Sequence, residues 1–381
     1  MTSGCIEEFE PETVDFESAL VIEATITDEL STQEIFLSRT FEFEADGPES
    51  ESNANVEVVD DMGNVYNFTE TEAGIYKSTT DFQAVAGRSY SLNVRTSDGR
   101  EYSSRTAQIP PPVPVERVYA ERIINADGVE GVGIFVDSFD PSGNSRNYRY
   151  VYEETYKIIA PSWTTNDLFV TGDGCEVVVV PKTEPDETCY RTDLSTDLIV
   201  TDTNGFTEDR VSRFMVRFIN RNNYIISHRY SILVTQLIQS NSAYSFFETL
   251  NDFTSSESLF SDTQVGFLEG NVFSNEDESE KVLGYFDIAS KSEQRIFFDY
   301  EDLFPGEELP PYVDPCVEVA PVLISLGGVC VLRNQVENNL VSYISPNEPP
   351  IPPGGPYRVV PRVCGDCTVL GSTEVPEFWT E

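Results

Sequence analysis

The sequence is short of basic groups and almost lacks histidine. Its 381 residues include 24 lysines and arginines against 66 aspartates and glutamates, which gives a formal net charge of −42 at neutral pH. Nucleic acids and anionic membrane faces bind proteins through basic surfaces, so we expect neither as a partner. His228 is the only histidine. This argues against a histidine-rich metal site and leaves the commonest general base with one candidate.

Several motifs of enzymes and membrane proteins are also missing. No apolar run reaches the roughly 18 residues of a transmembrane helix, and neither a G-x-S-x-G elbow nor a P-loop occurs. His228 lies within a strand-like pattern at 225–230, so we predict a structural histidine, no catalytic residues and no cofactor. So many acidic residues form coincidental carboxylate pairs, and a carboxylate-based hydrolase therefore stays an open alternative.

The chain nevertheless has enough apolar material to fold. Hydrophobic residues make up 39% of it and aromatic residues 12%, whereas disordered acidic chains are poor in aromatic residues. The length is that of two domains, or of one domain with a large extension. We therefore expect a globular and very acidic protein.

The N-terminal residues resemble the end of a bacterial lipoprotein signal peptide. Ser3 and Gly4 are small residues of the kind that a signal peptidase accepts, and Cys5 follows them. We predict that Cys5 carries a lipid anchor, with an ordinary cysteine in a terminal tail as the alternative. The acidic residues 6–17 would then be the tether of the anchored protein.

Residues 18–109 show the pattern of a β-sandwich. Apolar and polar residues alternate over 20–26, as in a half-buried strand. Asp98-Gly99 predicts a hairpin with a type I′ turn. We predict further strands near 33–43, 55–60, 64–69, 74–80, 88–96 and 100–109. About seven short strands in about 90 residues indicate an immunoglobulin-like or transthyretin-like sandwich.

A proline-rich stretch, 110–116, follows this region. Its four prolines cannot join a sheet, so we predict a semi-rigid spacer between two domains. The second domain, 117–345, is expected to be larger and β-rich, with one or two short helices. The clearest helix begins at Ser240 or Asn241.

Other segments of the second domain and the tail carry weaker signals. We expect strands near 132–136, 148–152, 176–180, 214–219, 224–238, 265–273, 282–288 and 294–300. The apolar run 319–332 contains a proline and two glycines, which favours two buried strands and a turn over a helix. The tail, 346–381, is rich in proline and glycine, so we expect little packed core there. Its closing residues 376–379 include a tryptophan, which indicates that the C-terminal residues pack back onto the folded part of the protein.

Six cysteines besides Cys5 indicate disulfide bonds. They are Cys175, Cys189, Cys316, Cys330, Cys364 and Cys367. An even number in an exported chain favours a disulfide framework, which has 15 possible pairings. Because the six fall into three local pairs, we predict Cys175–Cys189, Cys316–Cys330 and Cys364–Cys367. A zinc site or a thioredoxin-like redox role is less favoured, since neither a second half-site nor a βαβ pattern accompanies the C-x-x-C sequence.

One loop partly resembles a calcium-binding loop. Asp202, Asn204, Glu208 and Asp209 offer oxygen ligands at close spacing. The full twelve-residue pattern is absent, and Asn-Gly is typical of an exposed turn. We therefore predict a turn and no metal site.

Several segments, taken in order, resemble one family. They are 3–5 with the acidic residues that follow, 20–28, 66–76, 87–92, 270–272, 283–286, 364–367 and 376–379. Over nearly its whole length the sequence is similar to a Bacteroidota lipoprotein family known as domain of unknown function 4249. The resemblance implies an outer-membrane lipoprotein that is encoded beside a TonB-dependent receptor and acts as its partner. Glu7-Glu8 resembles the acidic signal for export to the cell surface, and the family offers no catalytic residues to transfer.

These observations lead to a functional prediction. We expect a lipid-anchored outer-membrane protein that faces the cell exterior and acts as a non-catalytic binding or capping subunit of a TonB-dependent-receptor-type β-barrel. A structural subunit of an outer-membrane assembly or export machine is the second hypothesis, and the carboxylate-based hydrolase is the third. A deep cleft with two facing carboxylates would favour the enzyme, whereas an exposed apolar patch would favour a protein partner.

Overall fold

The computed structural model describes residues 18–41, 47–255, 268–348 and 354–381, and these form an all-β protein with a few short helices. The predicted fold class is thereby confirmed. Cys5 and the tether 6–17 lie outside the described residues. Within the described ranges, no helix combines the length and the apolar character needed to cross a membrane.

Strands β1 to β9 build the described part of the N-terminal region. They are β1 Leu20–Thr27, β2 Glu34–Arg39, β3 Glu49–Ser50, β4 Asn55–Asp60, β5 Val65–Glu72, β6 Ile75–Ser78, β7 Ser89–Arg95, β8 Glu101–Ser104 and β9 Ala107–Gln108. Their inward side chains surround one core that includes Tyr76, Tyr90 and Tyr102. The arrangement is β-sandwich-like, and the longer strands lie close to their predicted positions.

The Asp98-Gly99 turn is not the type I′ turn that the sequence predicts. Gly99 has a φ of +95°, whereas Asp98 does not adopt a positive φ. The Gly99 N–H donates to the Thr96 carbonyl at 2.9 Å, and the Thr96 N–H donates to the Arg100 carbonyl at 3.0 Å. These bonds are typical of a type I turn followed by a glycine bulge. The Thr96 hydroxyl also donates to the Asp98 carboxylate at 2.5 Å and supports this turn.

The second region places a core between two sheets. Its elements are β10 Val115–Ile124, β11 Glu130–Asp140, β12 Asn147–Ile159, β13 Asn166–Val170, β14 Val177–Pro181, β15 Thr188–Leu194, β16 Ile199–Asp202, β17 Asp209–Asn220, β18 Tyr230–Ile238, α1 Asn241–Ser255, β19 Val272–Ser274 and β20 Val282–Phe298. One sheet is β10-β11-β17, and the other contains β12, β15, β18 and β20. Ile134 of the first and Tyr150 and Val234 of the second belong to the core. The Ser240 hydroxyl accepts from the Ala243 N–H at 3.2 Å, as a helix cap should.

A single long strand joins the two regions. The sequence predicts separate strands at 282–288 and 294–300, but β20 runs unbroken over Val282–Phe298. No proline or glycine stands between the predicted halves, so nothing ends the strand. Its first half pairs in parallel with β1, and its second half pairs antiparallel with β18. Phe286 and Ile288 consequently belong to the N-terminal core.

The proline-rich stretch packs onto the second region. Residues 110–114 lie outside the strands, as predicted. Val113 is buried, and its carbonyl accepts a hydrogen bond from Gln236 Nε2 at 2.9 Å. The Pro111 carbonyl accepts another from Ser145 Oγ at 2.9 Å. The stretch is therefore attached to the second region at Pro111 and Val113, while Pro112 and Pro114 are exposed.

The C-terminal residues fold against the second region. Their elements are α2 Tyr300–Leu303, α3 Val331–Glu337, β21 Val341–Pro346, β22 Tyr357–Pro361 and α4 Arg362–Gly365. The prediction of two buried strands over 319–332 is wrong, because this run leads into α3 and exposes Val319, Ile324, Leu326 and Val329. Its predicted turn is present. The strands fail because the proline and the glycines interrupt the ladder.

The tail contributes more packed core than the sequence predicts. Val359, Val360 and Cys364 have no exposed surface, since β22 pairs with β21 and α4 packs beside them. The prediction for residues 376–379 is confirmed. Trp379 lies against Tyr190, with the ring centroids 5.0 Å apart in an edge-to-face arrangement.

Candidate binding surface

The six cysteines pair across the chain and not locally. The bonds are Cys175–Cys330, Cys189–Cys367 and Cys316–Cys364. Disulfide bonding is thus confirmed, and all three predicted pairings are wrong. Nearness in sequence misleads here because the tail returns to the second region, where Cys364 and Cys367 each meet a different partner.

Two of these bonds hold the ends of one segment. Cys316 bonds to Cys364 in α4, with Cα atoms 5.6 Å apart. Cys330, the residue before α3, bonds to Cys175 in the β13–β14 connection, with Cα atoms 5.0 Å apart. The segment 316–330 is therefore fixed covalently at both ends, and we name it the clamped loop.

Backbone hydrogen bonds give the clamped loop a defined shape. Val319 and Val359 of β22 exchange two N–H···O bonds of 2.9 and 2.8 Å. Near the other end, the Ser325 N–H donates to the Val329 carbonyl at 2.9 Å across a turn in which Gly328 has a φ of +80°. The loop is thus ordered by its own hydrogen bonds as well as by the disulfides.

The clamped loop presents apolar side chains to solvent. These are Val317, Val319, Ile324, Leu326 and Val329. Leu326 is fully exposed, while Leu332 and Val359 beneath the loop belong to a small separate core that supports it. Scattered apolar residues are ordinary on a surface, but several within one short ordered segment are typical of a site that binds another molecule. The clamped loop is therefore the candidate binding surface.

The sequence contains a signal for this surface that the strand prediction overlooked. The apolar run is broken by Pro321, Gly327 and Gly328, and cysteines stand at 316 and 330 on either side of it. Such a run cannot pair continuously in a sheet. Fixed at both ends, it is suited to display its side chains.

A cluster of potential metal ligands lies at the base of the clamped loop. Asp314, Cys316 and Cys364 place ligand atoms within 4.8 Å of one another. The two sulfurs are bonded to each other, whereas a metal ion needs thiolates. Asp314 Oδ1 accepts the Cys316 N–H at 2.8 Å. The cluster is therefore a cross-linked turn and not a metal centre.

His228 lies in a bend and not in the strand that the sequence predicts. It follows a 3₁₀ turn at Tyr224–Ile226 and precedes β18. Burial lowers the pKa of its imidazole. His228 lines a shallow pocket of about 260 Å³ together with Ser227 and Asp299. Asp299 pairs with Arg229 at 2.7 Å, and within the described chain no hydrogen bond joins the serine, the histidine and the aspartate.

The calcium-like loop uses its carboxylates within the protein. Asp209 Oδ1 accepts hydrogen bonds from the hydroxyls of Tyr148 at 2.7 Å and Thr203 at 2.5 Å. Asp202 Oδ1 accepts the Asn204 N–H at 2.8 Å. These bonds stabilise a turn.

Comparison with known proteins identifies the family. The model of a domain of unknown function, DUF4249, matches residues 6–295. The chain belongs to the DUF4249 family. In this DUF4249 protein the matched region ends before the clamped loop, so the candidate surface lies in the C-terminal part that follows it.

Other comparisons add little to the family assignment. None of the functionally curated proteins matches this DUF4249 chain in sequence. Among solved structures, a DUF4785 family protein from Legionella pneumophila is similar at 10% identity with a TM-score of 0.18. That match covers 57% of this chain and 51% of the Legionella chain, about half of its length. A likeness at this level does not bear on function.

Proposed function

We propose that this DUF4249 protein is a lipid-anchored outer-membrane protein that faces the cell exterior. In this role it acts as a non-catalytic binding or capping subunit of a TonB-dependent-receptor-type β-barrel, with Cys5 as the anchor. The observation that carries the proposal is the clamped loop, an ordered surface with exposed apolar side chains. Such a surface fits a protein partner, because burying apolar area against a complementary patch drives association.

The charge of the chain supports a protein partner over bare membrane. A net charge of −42 is repelled by phosphate-rich lipid headgroups. The clamped loop itself carries one charged residue, Glu318, which lies 3.7 Å from Arg358. Contact through this loop would therefore rest on apolar burial and respond little to salt.

Affinity purification of the full-length protein after gentle detergent extraction tests this proposal. We expect the wild type to recover an outer-membrane β-barrel in near-stoichiometric amount. Full burial of a leucine or isoleucine contributes about 1.5–3 kcal/mol, so Ile324→Glu with Leu326→Glu should lose the barrel. Leu30→Glu, at a leucine of the N-terminal region that is 67% exposed, is the matched control and should keep it. Cys5→Ala should release the protein from the membrane fraction.

The outcomes separate the hypotheses. Recovery of the wild-type protein alone, over a range of detergents and salt, would contradict the capping role. Recovery of the barrel of an assembly or export machine would favour the structural-subunit hypothesis. If the double glutamate variant kept its barrel, the contact would not involve the clamped loop.

A further inference from the structure

A cleft that shares no residue with the clamped loop lies between α1 and the strands β1, β2 and β20. Its volume is about 960 Å³, and much of its wall is apolar. The aromatic and aliphatic side chains that line it include Phe36, Phe246, Phe247, Leu250, Leu283 and Tyr285. Small-molecule sites usually combine a volume of several hundred Å³ with apolar walls and a few polar groups.

Among the described residues that line this cleft, Arg149 on β12 is the cation. Its side chain is 12% exposed, and its guanidinium lies over the Phe247 ring, 4.3 Å from the centroid. A guanidinium has five N–H donors. Among the described residues it makes one hydrogen bond, from Nη2 to Thr25 Oγ1 at 2.9 Å, and its Nε is buried without a partner. Arg149 is therefore a largely buried cation with unmet hydrogen-bonding capacity.

The buried carboxylate beside Arg149, that of Asp287, does not accept hydrogen bonds from the free donors of the guanidinium. Asp287 Oδ2 lies 3.9 Å from Arg149 Nη2, which is beyond hydrogen-bonding distance, and accepts from Gln239 Nε2 at 2.7 Å instead. Burial raises the pKa of Asp287 and lowers the pKa of Arg149, so desolvation outweighs the attraction between them. An anion that reaches this guanidinium gains charge-assisted hydrogen bonds.

Acidic residues at the cleft restrict the charge of that anion. Glu23, Glu34 and Asp197 line it and are exposed to solvent. Glu34 is paired with Lys77 at 2.7 Å, whereas a second negative charge on a ligand would meet the other two acids. The cleft thus favours one carboxylate, with the rest of the ligand neutral and apolar.

We propose that this cleft binds an amphiphilic monocarboxylate whose carboxylate accepts hydrogen bonds from Arg149 and whose apolar body lies along the aromatic wall. None of the residues that line the cleft belongs to the clamped loop. The site is therefore independent of the proposed partner contact, and either proposal can fail without the other.

Calorimetric titration of the full-length protein with octanoate tests the site. Octanamide has the same chain and a neutral head, and octanedioate carries a second carboxylate. Octanoate is expected to bind at a ratio of one to one and about tenfold or more tighter than either analogue. Its carboxylate forms an ion pair with the guanidinium, the amide of octanamide is neutral, and the second carboxylate of octanedioate meets Glu23 and Asp197. Equal affinities for octanoate and octanamide would overturn the proposal.

Variants connect the binding to the residues. Arg149→Gln should weaken octanoate binding about tenfold or more and change octanamide binding much less, because only octanoate loses an ion pair. Arg117→Gln, at an arginine that is 61% exposed and outside the cleft, should change neither. Because Arg149→Gln removes the partner of a buried aspartate, folding is checked by circular dichroism. Leu250→Glu, on the face of α1 toward the cleft, provides the second test, since its carboxylate would repel octanoate. Unchanged octanoate binding in either folded variant would overturn the assignment.

Discussion

The buried carboxylate of Asp60 holds a turn in the N-terminal region. Its side chain has no exposed surface and accepts hydrogen bonds from the N–H groups of Met62 at 3.0 Å and Asn64 at 2.8 Å, and from Arg88 Nη1 at 2.6 Å. Burial raises the pKa of this carboxyl, but the hydrogen bonds outweigh burial and bring the pKa below its ordinary value of 3.8. The folded state therefore favours ionised Asp60.

Asp60→Asn is expected to lower the free energy of unfolding by about 1–3 kcal/mol at pH 7, because the surrounding donors lose a charged acceptor. A carboxyl with a lowered folded-state pKa stabilises the fold above its unfolded pKa, near 3.8, and this stabilisation is lost as the pH falls through the folded-state pKa. The difference between wild type and variant should therefore shrink below about pH 4. Urea unfolding at pH 7 and pH 3 measures it.

The neighbouring Asp61 supplies the control for this prediction. It is exposed, and its carboxylate accepts one hydrogen bond, from the Ser89 N–H at 3.1 Å. Asp61→Asn keeps an acceptor there and should change the free energy of unfolding by less than about 0.5 kcal/mol. A pH-independent loss for Asp60→Asn would show that its ionisation does not stabilise the fold.

The burial of Arg149 is a feature that the sequence could not predict. It alternates on β12 with Tyr148 and Tyr150, which are fully buried, so its position predicts an outward and solvated side chain. Its burial comes from Phe247 on α1 and from Thr25 on β1, 124 residues away. No local pattern reports contacts at such separations, and the cleft could not be predicted from the sequence.

Strand β20 depends on a glycine where it meets β1. Gly284 has a φ of +96° and pairs with Ile22 in the parallel ladder. A Cβ at this position would lie 1.9 Å from the Ile22 carbonyl oxygen. A side chain here would thus cost both left-handed backbone strain and a clash with backbone that cannot move without breaking the ladder.

Gly284→Ala is expected to lower the free energy of unfolding by about 3 kcal/mol or more, because strain and clash add. Gly128→Ala separates the two costs, since Gly128 has a φ of +79° and a Cβ there would have no other atom within 4 Å. Strain alone should cost about 1–2 kcal/mol there. Thermal unfolding of both variants measures the difference, and equal losses would contradict the close approach of β20 to β1.

The elements that the sequence predicts well are those whose partners are near in the chain. In the N-terminal region, alternation and glycine turns locate β4, β5 and β7, which pair with sequence neighbours or near neighbours. β20 differs because β1 and β18 lie far from it in the chain. Residues 290–294, where β20 passes from one core to the other, are polar and therefore resemble a loop between two strands.

In the whole molecule, the excess negative charge lowers the stability of the folded state and the disulfide bonds raise it. With 66 acidic and 24 basic residues, one-to-one pairing leaves 66 − 24 = 42 carboxylates without a lysine or arginine. Their mutual repulsion destabilises the compact state and is screened by salt. Disulfides between distant residues offset this cost, because they restrict the unfolded chain. The local pairs predicted from sequence would restrict it much less.

The bond Cys175–Cys330 spans 155 residues, for which the chain-entropy relation gives about 5 kcal/mol. Replacing both cysteines by alanine is expected to lower the free energy of unfolding by about that amount and to free one end of the clamped loop. Chymotrypsin cuts after leucine and should then cleave near the exposed Leu326 faster than in the wild type. Denaturant unfolding and timed proteolysis followed by mass spectrometry measure the two effects.

The bond Cys189–Cys367 provides the matched comparison, since it spans 178 residues but lies within the second core. Its double alanine variant should lose comparable stability without selective cleavage at Leu326, because both ends of the clamped loop stay attached. Selective cleavage is the decisive observation, since only the freed loop can adopt the extended shape that a protease binds. Equal cleavage in the two variants, or a peptide map that recovers Cys364–Cys367, would show that the disulfides do not hold this loop at the surface.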